Sequence, residues 1–365
     1  MPRTRVALDL LGADHAPSVL LDRLGELRAD DFELVIVGPQ FPETSPQISG
    51  QPSGQPSGQL REALRIHAPQ YLPTTEFIAQ DETLHSALRR KPQSSMRLAL
   101  KLLSDKKVDA VVSAGNTAAL MAIARGLVPR APGLSRPAIC KMLRGKQGPV
   151  WLLDLGANVG ASALQLSHFA MLGASLAESA MSGAREVRVG LLNIGAEVTK
   201  GPPVLGEAAQ LLGAQTNFDY IGFVEAHELF DGRADVVVSD GLLGNIALKA
   251  MEGTASMAQH LLAEHMRRLS EKGGLRAWLL ERLLATRDLS DVYDPQGYNG
   301  ASLLGLSGVV IKSHGRADGV GFAAAINQAR QEFIGRVPER VFAAFDRPAH
   351  DGRADQTPKP NDSQA

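Results

Sequence analysis

The chain alternates short aliphatic runs with longer segments rich in Ala, Leu, Glu and Arg, and this alternation restricts the fold more than any other feature. The runs are Val6 to Leu8, Leu34 to Val37, Ala110 to Val112, Val150 to Leu153, Val187 to Leu192, Val236 to Val238 and Val309 to Ile311. Between them lie Ser94 to Leu103, Ala161 to Ala180, Leu205 to Leu212 and Asn245 to Arg268. Strands that stay aliphatic, without polar alternation, are buried on both faces. Helices must then cover both sides of a mainly parallel sheet, giving a three-layer α/β sandwich. Ligands of such sheets gather beyond the carboxyl ends of the strands, so the residues that follow each run carry the interest.

Composition narrows the function. The 365 residues hold 38 Lys and Arg against 39 Asp and Glu, so no basic surplus argues for nucleic acid. The single cysteine, Cys140, excludes an internal disulfide framework and a cysteine-rich zinc site. It is expected to be a buried, inert thiol in the strand AICKML. No uncharged stretch reaches the ~20 apolar residues of a spanning helix, and the first residues read as a strand without a signal-peptide core. A cytoplasmic protein is the expectation. We read 1–345 as one α/β domain. It is interrupted at 44–59 by a Gly-Gln-Pro-Ser repeat expected to be a mobile surface loop, and it is followed by a disordered tail at 346–365. Between about 257 and 290, Leu275, Trp278, Leu279 and Leu283 share a helical stripe beside arginines, and Gly273-Gly274 breaks the segment into a helical hairpin. That hairpin suits a carrier-protein contact, an anionic bilayer or a dimer interface, and composition does not separate these.

The polar motifs are LDLLGADHAP (Leu8 to Pro17), SAGNTAAL (Ser113 to Leu120), LLDLGANV (Leu152 to Val159), LLNIGAEVTKG (Leu191 to Gly201), SDGLLGNIALK (Ser239 to Lys249) and YNGASLLGLSGVVIKSHG (Tyr298 to Gly315). Four share one plan: a strand ends, Gly follows with Asn, Asp or Thr, and a helix begins. Glycine lets a ligand approach the backbone, and free N–H groups at a helix start attract anions. One such turn is ordinary; four point to a polar, anion-binding cleft. No dinucleotide fingerprint, P-loop, G-x-S-x-G elbow or H-E-x-x-H pair is present.

Taken in order over about residues 5 to 335, these motifs resemble PlsX, the family of phosphate acyltransferases. The resemblance implies a fold related to those of isocitrate dehydrogenase and phosphotransacetylase, a homodimer, and transfer of a fatty acyl group from acyl carrier protein to inorganic phosphate. The acyl phosphate would feed glycerol-3-phosphate acylation, with peripheral contact to the membrane and its glycerol-3-phosphate acyltransferase. No cofactor and no metal site is expected. Phosphate is already an oxyanion and a thiolate leaves readily, so no serine or cysteine nucleophile is required.

Lys200 is the leading candidate to grip phosphate or polarise the carbonyl. Asp240 either orients Lys200 or caps a helix. His314 either protonates the departing thiolate or is a buried structural histidine. Asp14, His15, Gly115, Asn116, Thr117, Asn158, Asn193, Gly241, Asn245 and Lys312 are candidates to surround phosphate or the pantetheine arm. Compared with the family pattern, Ala13 and Ala118 stand where glycine is usual, Gly160 where aspartate is, and Leu242-Leu243 where Phe-Thr is. If those glycines needed positive φ, alanine would cost about 1 kcal/mol or more. Alternative readings are an acyl-CoA:phosphate acyltransferase of phosphotransacetylase type, a catalytically weakened scaffold for carrier protein or membrane, and, by fold analogy alone, an NAD-dependent oxidoreductase.

Overall fold

The computed structural model describes residues 3–39, 58–181, 183, 185–271 and 299–346. Residues 44–57 of the 44–59 repeat, residues 272–290 of the segment read as a hairpin over about 257–290, and the tail from 347 lie outside the described residues. The strands are β1 (Thr4–Asp9), β2 (Phe32–Gly38), β3 (Gln70–Pro73), β4 (Ala110–Ser113), β5 (Ala138–Gly145), β6 (Gly148–Leu153), β7 (Arg188–Asn193), β8 (Asp219–Glu225), β9 (Val236–Val238), β10 (Ala301–Leu304) and β11 (Val309–Lys312). The helices are α1 (Pro17–Leu20), α2 (Gly58–His67), α3 (Leu84–Arg89), α4 (Ser95–Ser104), α5 (Thr117–Leu127), α6 (Ala163–Met181), α7 (Pro203–Gly213), α8 (Gly241–Glu271), α9 (Gly319–Ile334) and α10 (Val337–Asp346).

The strands join in one sheet of order β3-β2-β1-β4-β11-β10-β5-β6-β9-β7-β8. Strands β3 to β11 of that order are parallel, as are β6, β9, β7 and β8. The three pairings between these groups, β11–β10, β10–β5 and β5–β6, are antiparallel. The two parallel halves therefore run in opposite directions, and their carboxyl ends point to opposite edges of the sheet. A single carboxyl edge, as expected from the sequence, is not what the chain builds.

Side-chain alternation sorts the core into faces. Ala7, Val111, Val310, Leu303, Ile139, Leu152 and Val237 pack with α4, α5 and the start of α8. On the other face Val6, Leu8, Val112 and Ile311 meet α1, α2 and α9, while Cys140, Trp151, Leu153 and Val238 meet α6, α7 and α10. This is the three-layer arrangement that uninterrupted aliphatic strands demand.

One polar group lies deep in the second layer. Glu332 of α9 is buried, accepting from Ser302 Oγ and, at 3.0 Å, from Gln328 Nε2. Burial lifts its carboxyl from the ordinary 4.5 to about 7. The folded chain then keeps a proton that the unfolded chain releases near 4.5, so this group's contribution to stability is full below 4.5 and is lost as pH rises to about 7. Asp9 and Asp154, both lifted to about 6, act with the same sign. Urea unfolding at pH 5 and pH 7.5 should show the protein weaker at the higher pH, and Glu332→Gln should reduce the difference; an unchanged difference would refute the assignment.

Candidate active site

A cavity of about 800 Å³ opens on the α5 and α8 face of the sheet. Its floor is the antiparallel seam, where Ile139 and Lys141 of β5 lie beside Ala301 of β10. One wall is α5, through Thr117, Ala118, Met121, Ala122 and Arg125; the other is α8, through Asn245, Leu248, Lys249 and Glu252. Because α5 descends from the carboxyl end of β4 and β5 runs up toward it, the register fixes the two ends of the cavity. Lys312 aligns with Ser113 on β4 and with Ala301 on β10, so Lys312, Thr117 and Lys141 share the upper end. Arg125 and Arg136, with the Leu155 to Ala157 turn, share the lower end.

The upper end is tied together by loop contacts. Gln80 Nε2 donates to the carbonyls of Gly12 (2.8 Å) and Ala114 (2.9 Å), and Asp14 N–H donates to Gly315 O at 3.0 Å. Asn299 Nδ2 donates to Ser313 Oγ (2.7 Å), and its Oδ1 accepts from His314 N–H (3.0 Å). Lys312 donates to Ser313 O, and burial pushes its ammonium down to about 8 against the opposing pull of Asp9 and Asp14. Asp9, Ser113 and Lys312 occupy one row across β1, β4 and β11, with Ser113 Oγ donating to Asp9 Oδ2 at 2.6 Å. His314 is held below its ordinary value by burial and by Lys249 and Lys312. Its Nδ1 accepts the Arg316 N–H at 3.1 Å, which assigns the ring proton to Nε2. His314 is thus a neutral N–H donor, suited to an oxyanion rather than to delivering a full proton.

The lower end is built by Asp154. Its buried carboxylate accepts from Ile139 N–H and Leu155 N–H (both 2.8 Å), from Asn158 N–H (2.6 Å) and from Asn158 Nδ2 (3.0 Å). These bonds shape the turn that carries Leu155, Gly156 and Ala157 into the cavity. A β-carbon on Gly244 would collide with the Asp154 backbone, so glycine is what lets the first turn of α8 reach this loop.

The sequence candidates divide. Asp14, Thr117, Asn245, Lys312 and His314 line the cavity. Lys200 does not: it is exposed on the turn after β7 and pairs with Glu197 at 2.9 Å. The other half of that turn is closed by Asn193, whose Nδ2 donates to Lys200 O. Asp240 accepts from Leu242 N–H (2.8 Å) at the start of α8 and from Ala161 N–H (2.7 Å), so it caps that helix and ties it to the loop before α6. Asn116 caps α5 by accepting from Ala119 N–H and donates to Gln80 O. Asn158 is buried against Asp154 and Pro137, Gly241 N–H donates to Asn158 O, Gly115 is buried, and His15 is exposed off the lining. Among the described residues the non-glycine positions with positive φ are Ala68, Lys106 and Arg336; Ala13 and Ala118 are not among them, so neither carries the backbone penalty considered above.

Residues the sequence reading missed complete the lining: Gln80, Arg125, Arg136, Lys141, Lys249, Glu252 and Asn299. Lys249 and Asn299 stand inside motifs already singled out; Arg125, Arg136 and Lys141 have no motif around them. Five cationic side chains, Arg125, Arg136, Lys141, Lys249 and Lys312, face two carboxylates, Asp14 and Glu252, in a chain whose formal charge is -1. Among the described residues the lining contains no serine or cysteine, and Cys140 packs on the opposite face of the sheet.

A cationic cleft across the seam of a mixed α/β sheet suits an enzyme that handles anionic substrates. The solved structures that share this fold include a phosphotransacetylase from Streptococcus pyogenes, at 16% identity and TM-score 0.55 over 90% of this chain and 94% of that one. A branched-chain phosphotransacylase from Enterococcus faecalis V583 aligns at 11% identity and TM-score 0.51 over 90% and 99%. The family described as Fatty acid synthesis protein matches residues 4–340. Proteins named phosphate acyltransferase match from Nitrosococcus oceani, 42% identical over 93% of this chain and 95% of its relative, and from Pseudomonas fluorescens, 43% identical over 93% and 97%. The chain belongs to this family, that of the phosphate acyltransferases, and is an enzyme of the transferase class.

Proposed function

We propose that the protein transfers a fatty acyl group from the thioester of acyl carrier protein to inorganic phosphate. A phosphate oxygen attacks the thioester carbon, the tetrahedral oxyanion collapses, the C–S bond breaks, and acyl phosphate and a carrier thiolate leave. The observation that carries this reading is a cavity with five cations and, among the described residues, no serine or cysteine to form an acyl-enzyme. Lys312, with Lys141 and Lys249 near it, offsets the repulsion between phosphate and the developing oxyanion. His314 Nε2–H is the donor aimed at charge that forms in the transition state. The apolar middle, formed by Ala118, Met121, Ala122, Ile139, Leu248 and Ala301, keeps water from the labile product.

Purified protein with palmitoyl-carrier protein and labelled orthophosphate is expected to yield a hydroxylamine-sensitive acyl phosphate; no product would overturn the reading. Cys140→Ala is expected to retain turnover, since the thiol is buried and burial pushes its pKa well up. An inactive but folded variant would argue for a covalent route. Carrier protein and phosphate are the partners of this reading, in a homodimer with peripheral membrane contact. Exposed Met257 and Leu261 on α8 support an interaction role for that helix. Among the described residues no helix is long and apolar enough to cross a membrane.

A further inference from the structure

The cations of the cavity are not equivalent. Lys141 and Lys249 both pair with Glu252, at 3.4 and 2.8 Å, and Lys312 donates to a carbonyl. Arg125 and Arg136 line the same cavity, and among the described residues neither guanidinium has a hydrogen-bond or ion-pair partner. Two unpaired guanidiniums at one end of the cavity form a site for a phosphate-type anion, which their planar donor forks match in pairs.

Their position identifies which anion. Arg125 lies eight residues along α5 from Thr117, which at 1.5 Å per residue is about 12 Å. Arg136 lies five residues before Lys141 on the β5 chain, about 16 Å at strand spacing. Both routes set the arginines' backbone about 12 to 16 Å from the end of the cavity marked by Thr117 and Lys141, with the apolar floor between. The pantetheine arm of a thioester donor has the matching form: a sulfur at one end, about thirteen bonds of chain, and a phosphodiester at the other, reaching about 15 Å at roughly 1.2 Å per bond. We propose that Arg125 and Arg136 bind the phosphodiester of that arm, setting the thioester at Lys312 and His314. This rests on the acyl-transfer reading and adds how the donor is recognised. The carrier-bound arm and coenzyme A both carry a phosphate on the pantetheine hydroxyl, as a phosphodiester in the first and as part of a diphosphate in the second.

The test compares kcat/KM for three palmitoyl thioesters, of carrier protein, of coenzyme A and of pantetheine without phosphate, in the parent, Arg125→Gln, Arg136→Gln and the double variant. The parent is expected to prefer the phosphorylated arms, and each arginine removed is expected to reduce that preference on the order of tenfold, as for a charge-assisted hydrogen bond. Loss of preference for carrier protein and coenzyme A alike assigns the site to the phosphate on the pantetheine arm. Loss for carrier protein alone would overturn the assignment in favour of the protein surface. A rise in KM for orthophosphate with the thioester preference intact would overturn it in favour of the nucleophile. Arg125→Lys and Arg136→Lys test folding independently of fork geometry and should restore part of the preference. A parent that makes acyl phosphate without any preference sinks only the arginine assignment; a parent that makes none sinks the transfer reading itself.

Discussion

Replacing Lys312 by methionine is expected to lower kcat/KM for phosphate by about 10² to 10³-fold, the scale set by removing a preorganised charge from a transition state. In the parent, kcat/KM should fall as pH rises through about 8, because the buried ammonium loses its proton there, and this profile reports the free enzyme. The same substitution should make the protein more stable. The ammonium is disfavoured by burial in the folded chain, so the penalty is present below about 8 and is relieved as pH rises toward its ordinary 10.5. Lys312→Met removes the penalty at pH 7, and its melting temperature should exceed the parent's. Stopped-assay pH profiles and calorimetry check both; a variant both active and less stable would show that Lys312 is a structural cation.

Asp154→Ala is expected to cost stability more than any other single change in the site, about 3 to 5 kcal/mol and a fall in melting temperature on the order of 10 °C. It leaves the N–H groups of Ile139, Leu155 and Asn158 without an acceptor in a buried turn. Activity should fall with it, because that turn delivers Gly156 and Ala157 to the cavity and supports the first turn of α8. Asp154→Asn should fall between parent and Ala: one oxygen still accepts, while the new amide meets donors it cannot pair with. Thermal melting with turnover at a temperature where all three are folded separates the two effects, and a stable Ala variant would refute the role.

Much of the fold was legible because aliphatic runs need two covering layers whatever the topology. Each of the seven runs became a strand. Direction was not legible: periodicity is the same for a strand running up or down, so β5 and β10 gave no sign that they reverse the sheet. That reversal explains the site residues too. The Gly-Asn turn holding Asn193 and Lys200 follows the same local plan as the turn before α5, yet β7 stands beyond β9 and β6 from the seam, and Lys200 stays outside. Thr117, Lys312 and His314 were recoverable because they follow strands of the half that ends at the cavity. Arg125 and Arg136 were not, since each gains meaning only from the helix or strand opposite. Asp9 and Asp154 look like ordinary strand-end acids until burial is known.

The place of β11 bears on how the molecule is made. It lies between β4 and β10, so the central partner of an early strand leaves the ribosome only after all of β5 to β9. A nascent chain stopped before Val309 has an open edge at β4 and lacks Lys312 and His314. The candidate pocket is therefore completed only once β11 has been made, by a long-range closure of the kind that slows folding and leaves an adhesive strand edge for chaperones to guard.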